Sequence, residues 1–199
     1  MEFKIFSNNY YVNFKRIFDI FFSISVLIIL LPILFFLFII HIILEKGNFI
    51  FWSKRVGINN HIFFMPKLRT MKTSTPDVAT HLLGNDNNYI TNIGKILRKT
   101  SLDEIPQLYS VLKGDMSIVG PRPALHNQYD LIQLRTESGV HKLKPGITGL
   151  AQVSGRDLLS IPEKVEYDKM YLIKKNFLLD IKIICITVFK LFKSKDILH

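Results

Sequence analysis

The sequence predicts a mainly α-helical fold with a few short strands. Residues 1–46 belong to a membrane, and residues 47–199 form one small α/β-associated globular core ending in an amphipathic membrane-surface helix. Three observations predict it. From Ile20 to Ile40 no side chain is charged, and about 20 apolar residues suffice for a helix to reach across the hydrocarbon of a bilayer. Apolar residues recur at helical spacing further on, as at Ile105, Leu108, Val111 and Leu112. Extended patterns are short by comparison, Ile62-Phe63-Phe64-Met65 being the clearest.

Composition narrows the partners. The 199 residues allow one compact domain and one further element. Lys and Arg number 26 against 16 Asp and Glu, a formal charge of +10, which selects anionic partners: nucleic acid, phospholipid headgroups or phosphorylated substrates. A hydrophobic share of 48% beside that charge, with mean hydropathy +0.23, favours the membrane surface. The one cysteine, Cys185, has no disulfide partner and no metal-ligand spacing, and among Ile184 and Ile186 it reads as buried or lipid-facing. With no disulfide framework, a cytoplasmic face is the simpler placement for the core.

The apolar run has two readings. Lys4, Lys15 and Arg16 precede it, and Lys46, Lys54, Arg55, Lys67, Arg69 and Lys72 follow it, so both ends favour the cytoplasmic side. Pro32 lies mid-run, where its missing N–H and its ring act against a straight helix. A helix-break-helix that enters and leaves on one face satisfies both facts. A plain transmembrane anchor with a tolerated proline satisfies the length equally well. Asp19 reads as structural, neutralised on the helix surface by Lys15 and Arg16.

After a strand or hairpin within 50–64, residues 73–92 read as a polar surface loop and 93–98 as a basic helix. Ser101 or Thr100 offers an N-cap, with Glu104 at the capping-box position from Ser101, which places Asp103 and Glu104 in a helix's first turn. Gly114 ends that helix. Residues 116–123 are extended and locked by Pro121 and Pro123 around Arg122. A helix over 126–134, a turn-rich loop at 144–149, a charged helix over 162–175 and an interfacial helix over 177–193 complete the chain.

Adjacent carboxylates at a helix start are ordinarily caps, offsetting the helix dipole. Here cations crowd the motifs around the pair: Arg98 one turn before, Arg122 in its proline frame, and Lys67, Arg69 and Arg156 in further basic segments. Two acids amid such cations suit phosphate chemistry, in which a carboxylate attacks phosphorus while a divalent cation and arginines neutralise the charge on a diphosphate. No Walker loop or dinucleotide fingerprint is present, and the histidines at 41, 61, 81, 126, 141 and 199 show no zinc spacing.

These motifs, in order, resemble the bacterial sugar transferases, the small monotopic phosphoglycosyl transferases that begin glycoconjugate assembly. The resemblance covers nearly the whole chain. It rests on the proline-bearing apolar run, Lys67-Leu68-Arg69-Thr70-Met71, Ser101-Leu102-Asp103-Glu104-Ile105-Pro106-Gln107-Leu108, Leu112-Lys113-Gly114-Asp115-Met116-Ser117, Val119-Gly120-Pro121-Arg122-Pro123 and Lys144-Pro145-Gly146-Ile147-Thr148-Gly149. It implies a re-entrant membrane helix broken at Pro32, although this chain has Leu31 where the family often has serine. It implies transfer of a phosphosugar from a UDP-sugar to polyprenyl phosphate with release of UMP. Asp103 matches the nucleophile and Glu104 the assisting acid, and both would lie at a Mg²⁺ site. Lys67, Arg69, Arg98, Arg122 and Arg156 would bind substrate phosphates. The implied setting is the bacterial inner membrane, cytoplasmic face, with downstream glycosyltransferases as further partners and no nucleic acid. Two other readings stand beside it: a membrane-anchored basic scaffold without catalysis, and, on net charge alone, a nucleic-acid binder.

Overall fold

The computed structural model describes residues 9–45, 47–75, 89–155 and 158–192. The expected loop at 73–92 therefore lies largely outside the described residues, as do Lys46 and Arg156. Helix α1 (Asn9–Leu44) is followed by a hairpin of β1 (Ile50–Val56) and β2 (Ile62–Leu68). Next come α2 (Asn92–Thr100), α3 (Gln107–Lys113), β3 (Ser117–Val119), α4 (Tyr129–Glu137), β4 (Gly146–Thr148), α5 (Leu150–Ser154), α6 (Ile161–Lys174) and α7 (Phe177–Phe192). The fold is thus mainly helical with few short strands, as predicted.

The hairpin is antiparallel, with Ile50 opposite Leu68 and Val56 opposite Ile62. Period-two alternation turns Phe63 and Met65 into the core and leaves Phe64 and Trp52 exposed. Lys67 continues the inward row, so an ammonium is carried to the edge of the core. Pro66 sits opposite Trp52 and is tolerated because both strands of a two-stranded ribbon are edges. Strands β3 and β4 pair in parallel, Ser117 with Gly146 and Val119 with Thr148.

The core gathers Phe63, Met65, Ile105, Leu108, Val111, Met116, Ile118, Val119, Tyr171 and Ile183, and Phe22, Val26, Leu27, Leu30 and Leu34 of α1 pack against it. Helix α1 runs through Pro32 without interruption. The break expected there is not seen, and turns on both sides of the proline, at Leu30 and Leu34, rest on the same core. One face of α1 is docked while most of its apolar residues stay exposed, Ile28, Ile29, Phe36 and Ile43 among them. It is long and apolar enough to cross a membrane.

Docking uses polar anchors that the sequence reading assigned otherwise. Asp19 is buried and does not sit on the helix surface with Lys15 and Arg16. Its carboxylate accepts from the Ser117 hydroxyl at 2.8 Å and from the Ile118 N–H at 3.2 Å. Arg16 instead donates to the Val111 and Leu112 carbonyls at 2.5 and 2.7 Å, closing the C-terminal end of α3. Lys15 and Tyr11 donate to Asp180 of α7 at 2.7 and 2.8 Å. Asp19 is structural, as expected, but through burial.

Helix α6 starts in a full capping box, Ser160 with Glu163. Helix α7 buries Ile183 and exposes Leu178, Val188, Phe189 and Leu191, the two-faced character expected of an interfacial helix, with Cys185 on the exposed side.

Candidate active site

The acid pair does not open an α-helix. Ser101 takes a left-handed conformation (φ 55°) and closes α2, its N–H donating to the Arg98 carbonyl at 3.1 Å. Leu102–Glu104 then form a single 3₁₀ turn, and α3 begins after Pro106. Ser101 makes no side-chain cap. The expected capping box is absent because Ser101 is spent on ending the previous helix: it is left-handed, and its N–H already donates to the Arg98 carbonyl. Glu104 is thereby released from capping and turns sideways. Its Oε1 accepts from Arg122 Nη2 at 2.8 Å and from Lys67 Nζ at 3.3 Å.

Asp103 is 8% exposed. Burial pushes its carboxyl above the usual carboxylate range. Lys67 opposes the rise most strongly, the charge of Glu104 adds to it, and Arg98 and Arg122 work against it. The same burial pushes the Lys67 ammonium below the ordinary lysine range, with Glu104 the main opposing influence. Arg98 is held at the end of α2 by a hydrogen bond from Nε to the Thr70 hydroxyl at 3.0 Å. Gly94, one turn earlier in α2, lies so close to the Thr70 backbone that any Cβ there would collide with it. This contact sets α2 against the end of β2.

Structure therefore brings together Asp103, Glu104, Lys67, Arg98 and Arg122, from four separate segments. Arg69 does not join them. Its Nε donates to the Asn48 carbonyl at 2.9 Å and its guanidinium stacks 5.6 Å from the Phe51 ring. Arg69 has the same parity as Lys67 but lies just past Leu68, the last residue of β2, and its contacts fall at the start of β1. Arg156 lies outside the described residues. Pro32 is remote in sequence and belongs to α1.

One cation was missed by the sequence reading. Arg55 of β1 acts on the Lys67 ammonium and donates from Nη1 to the Pro123 carbonyl at 3.1 Å. Its signal was parity: it shares the inward face with Ser53, opposite Phe63. Among the described residues no three metal-ligating side chains converge, and Asp103 and Glu104 offer two hard oxygen donors side by side.

A buried carboxylate beside a second acid, under a canopy of Lys and Arg, on a core from which a long apolar helix is exposed, matches one sequence family. The family model described as bacterial sugar transferase covers residues 10–194. The chain belongs to the bacterial sugar transferase family. Over 187 residues this sugar transferase is 41% identical to the uncharacterized sugar transferase EpsL of Bacillus subtilis (strain 168), covering 92% of this chain and 89% of that one. It is 40% identical over 190 residues to the UDP-glucose:undecaprenyl-phosphate glucose-1-phosphate transferase of Klebsiella pneumoniae, covering 92% of this chain and 41% of the relative. It is 38% identical over 172 residues to the undecaprenyl-phosphate galactose phosphotransferase of Salmonella typhimurium, covering 79% and 36%. The sugar transferase thus spans most of EpsL and about two-fifths or less of the two longer relatives.

Proposed function

We propose that this sugar transferase moves a sugar 1-phosphate from a UDP-sugar to undecaprenyl phosphate, releasing UMP, through a covalent phosphosugar on Asp103. Relatives named for UDP-glucose, galactose and undecaprenyl phosphate support the donor and acceptor classes. The observation that carries the chemistry is the state of Asp103: a buried carboxylate surrounded by cations that, among the described residues, accepts no hydrogen bond. A carboxylate largely removed from water and without donors is a stronger nucleophile than a fully solvated one.

In the first step an Asp103 oxygen attacks the sugar-linked phosphorus. The bond from that phosphorus to the bridging oxygen breaks, and UMP leaves with the oxygen. Arg122, Lys67 and Arg98, gathered around the acid pair, would neutralise charge as it moves onto the departing phosphate. In the second step an oxygen of undecaprenyl phosphate attacks the same phosphorus, the bond to Asp103 breaks and its carboxylate is restored. Glu104, held by Arg122 and Lys67, orders those cations and assists the entering phosphate.

Mg²⁺ fits this donor set, since it binds through one or two carboxylates and takes its remaining ligands from water and substrate phosphates. Asp103 and Glu104 would hold it, and it would supply charge neutralisation on the diphosphate. The membrane arrangement we favour is entry and return on the cytoplasmic face of the inner membrane. Cations on both flanks of α1 support it, and it requires α1 to bend in the bilayer at Pro32, where the ring removes one helix hydrogen bond.

The test is donor labelled in the sugar-linked phosphate, presented without acceptor. Wild type should retain label stoichiometrically and release one UMP, and Asp103→Asn should retain none. Acceptor-dependent UMP release with no label on the protein would replace the covalent route by direct transfer.

A further inference from the structure

Arg122 reaches Glu104 from a segment without secondary structure, just after β3 and between two prolines. Prolines 121 and 123 fix their own φ but donate no backbone hydrogen bond, so the segment's position must be set from outside. Two guanidinium groups grip it by its carbonyls. Arg135 of α4 donates from Nη1 to the Arg122 carbonyl at 2.8 Å, and Arg55 of β1 donates to the Pro123 carbonyl at 3.1 Å. Arg135 is itself fixed, because Nε and Nη2 both donate to Asp168 Oδ2 of α6, at 3.0 and 2.7 Å. Asp168 is 1% exposed, and the Arg135 side chain 11%.

A buried ion pair joining α4 to α6 is a weak stabiliser by itself, because desolvation offsets the attraction. Its geometry has another use. The guanidinium is a rigid planar fork. With two of its nitrogens on Asp168, the third lands on the backbone of the one residue that carries the Glu104-facing arginine.

The geometry points to Arg135 and Asp168 as a positioning pair that sets Arg122 toward the donor's diphosphate. This rests on the reading of Asp103 and Glu104 as the reacting centre. Neither residue touches Asp103 or Glu104; both act through the Arg122 backbone. A lysine at 135 would keep a charge beside Asp168 but lose the fork.

The decisive variant of the full chain is Arg135→Met with Asp168→Leu, since replacing a buried ion pair by apolar side chains is commonly neutral or stabilising. The expected result is an unfolding midpoint near that of wild type. Counted per labelled active site, KM for the UDP-sugar rises and kcat/KM falls about tenfold to hundredfold, the scale of displacing a reacting group by up to an ångström. In an Arg122→Ala background the same change should cost no more than about twofold, because its effect has already been removed. Binding of UDP alone, read by calorimetry without turnover, should follow the same cycle. It tests the pair even if wild type released no UMP, a result that would strike the proposed reaction instead. Wild-type kinetics and UDP affinity in the folded apolar variant, or losses that multiply with Arg122→Ala, would overturn positioning and leave the pair structural. If the apolar variant does not fold, Arg135→Lys carries the same cycle with the same two outcomes.

Discussion

Four aspartates are buried among the described residues, Asp19, Asp103, Asp168 and Asp180, and they fall into two kinds. Asp19 accepts from a serine hydroxyl and a backbone N–H, Asp168 from two nitrogens of one arginine, and Asp180 from Tyr11, Lys15 and Tyr171. Each joins elements far apart in sequence and accepts at least two hydrogen bonds. Asp103 is buried too, though less deeply, yet among the described residues it accepts no hydrogen bond and is compensated only by charge at a distance. The protein thus satisfies carboxylates where they hold the fold and leaves one unsatisfied where cations converge. Burial is therefore a poor sign of catalytic use; burial without donors is a better one.

The largest test of this contrast is Asp103→Asn. UMP release should fall by at least about a thousandfold, as when a nucleophile is removed, while stability at neutral pH rises. Asp103's carboxyl is raised by folding, so its contribution to stability is fully present below the unfolded pKa and is lost as pH rises through the folded one. The advantage of Asn should accordingly be seen in denaturant unfolding at pH 7 and vanish in acid. Asp180→Ala should do the reverse. It strands Lys15, whose side chain is 15% exposed, and should cost about 3–5 kcal/mol of stability, with turnover per folded molecule kept. Equal stability losses at Asp103 and Asp180 would erase the distinction.

Smaller effects sharpen it. Arg122→Ala should lower kcat/KM about a hundredfold with little change in unfolding midpoint, since its side chain is 35% exposed. In pH–rate profiles the acid limb should lie above the usual carboxylate range, because Asp103 must be ionised to attack. Lys67→Met should move that limb of the residual activity still higher, by removing the strongest influence that lowers the carboxyl. Smallest is Ser117→Ala, which takes one of Asp19's two donors and should cost about 1 kcal/mol without touching catalysis.

What the sequence disclosed was local. The hairpin, the stop at Gly114, the helices at 161–174 and 177–192 and the acid pair with Lys67, Arg98 and Arg122 all follow from periodicity, turn residues and motif order. What it concealed was pairing over distance. Lys15 and Arg16 stand within one helical turn of Asp19 in sequence, and local rules pair them with it; both instead reach across to α7 and α3, because Asp19 is taken by β3. Arg69 has the same parity as Lys67, and what separates them is the end of β2 at Leu68, past which Arg69 turns to the Asn48 carbonyl and the Phe51 ring. The capping-box assignment failed for a nearer cause: a serine that could open one helix was needed, in left-handed geometry, to close another.

The clasp at Asp180 carries a consequence in time. Tyr11 and Lys15 meet it across 169 and 165 residues. At about 5–20 residues per second of synthesis, α1 waits roughly 8 to 33 seconds before its anion emerges from the ribosome. During that interval the nascent chain has its own early contacts alone, and a half-closed chain is open to proteolysis. Weakness in the clasp should therefore register in living cells chiefly as abundance, through molecules that never finish, more than as a slower enzyme among those that do.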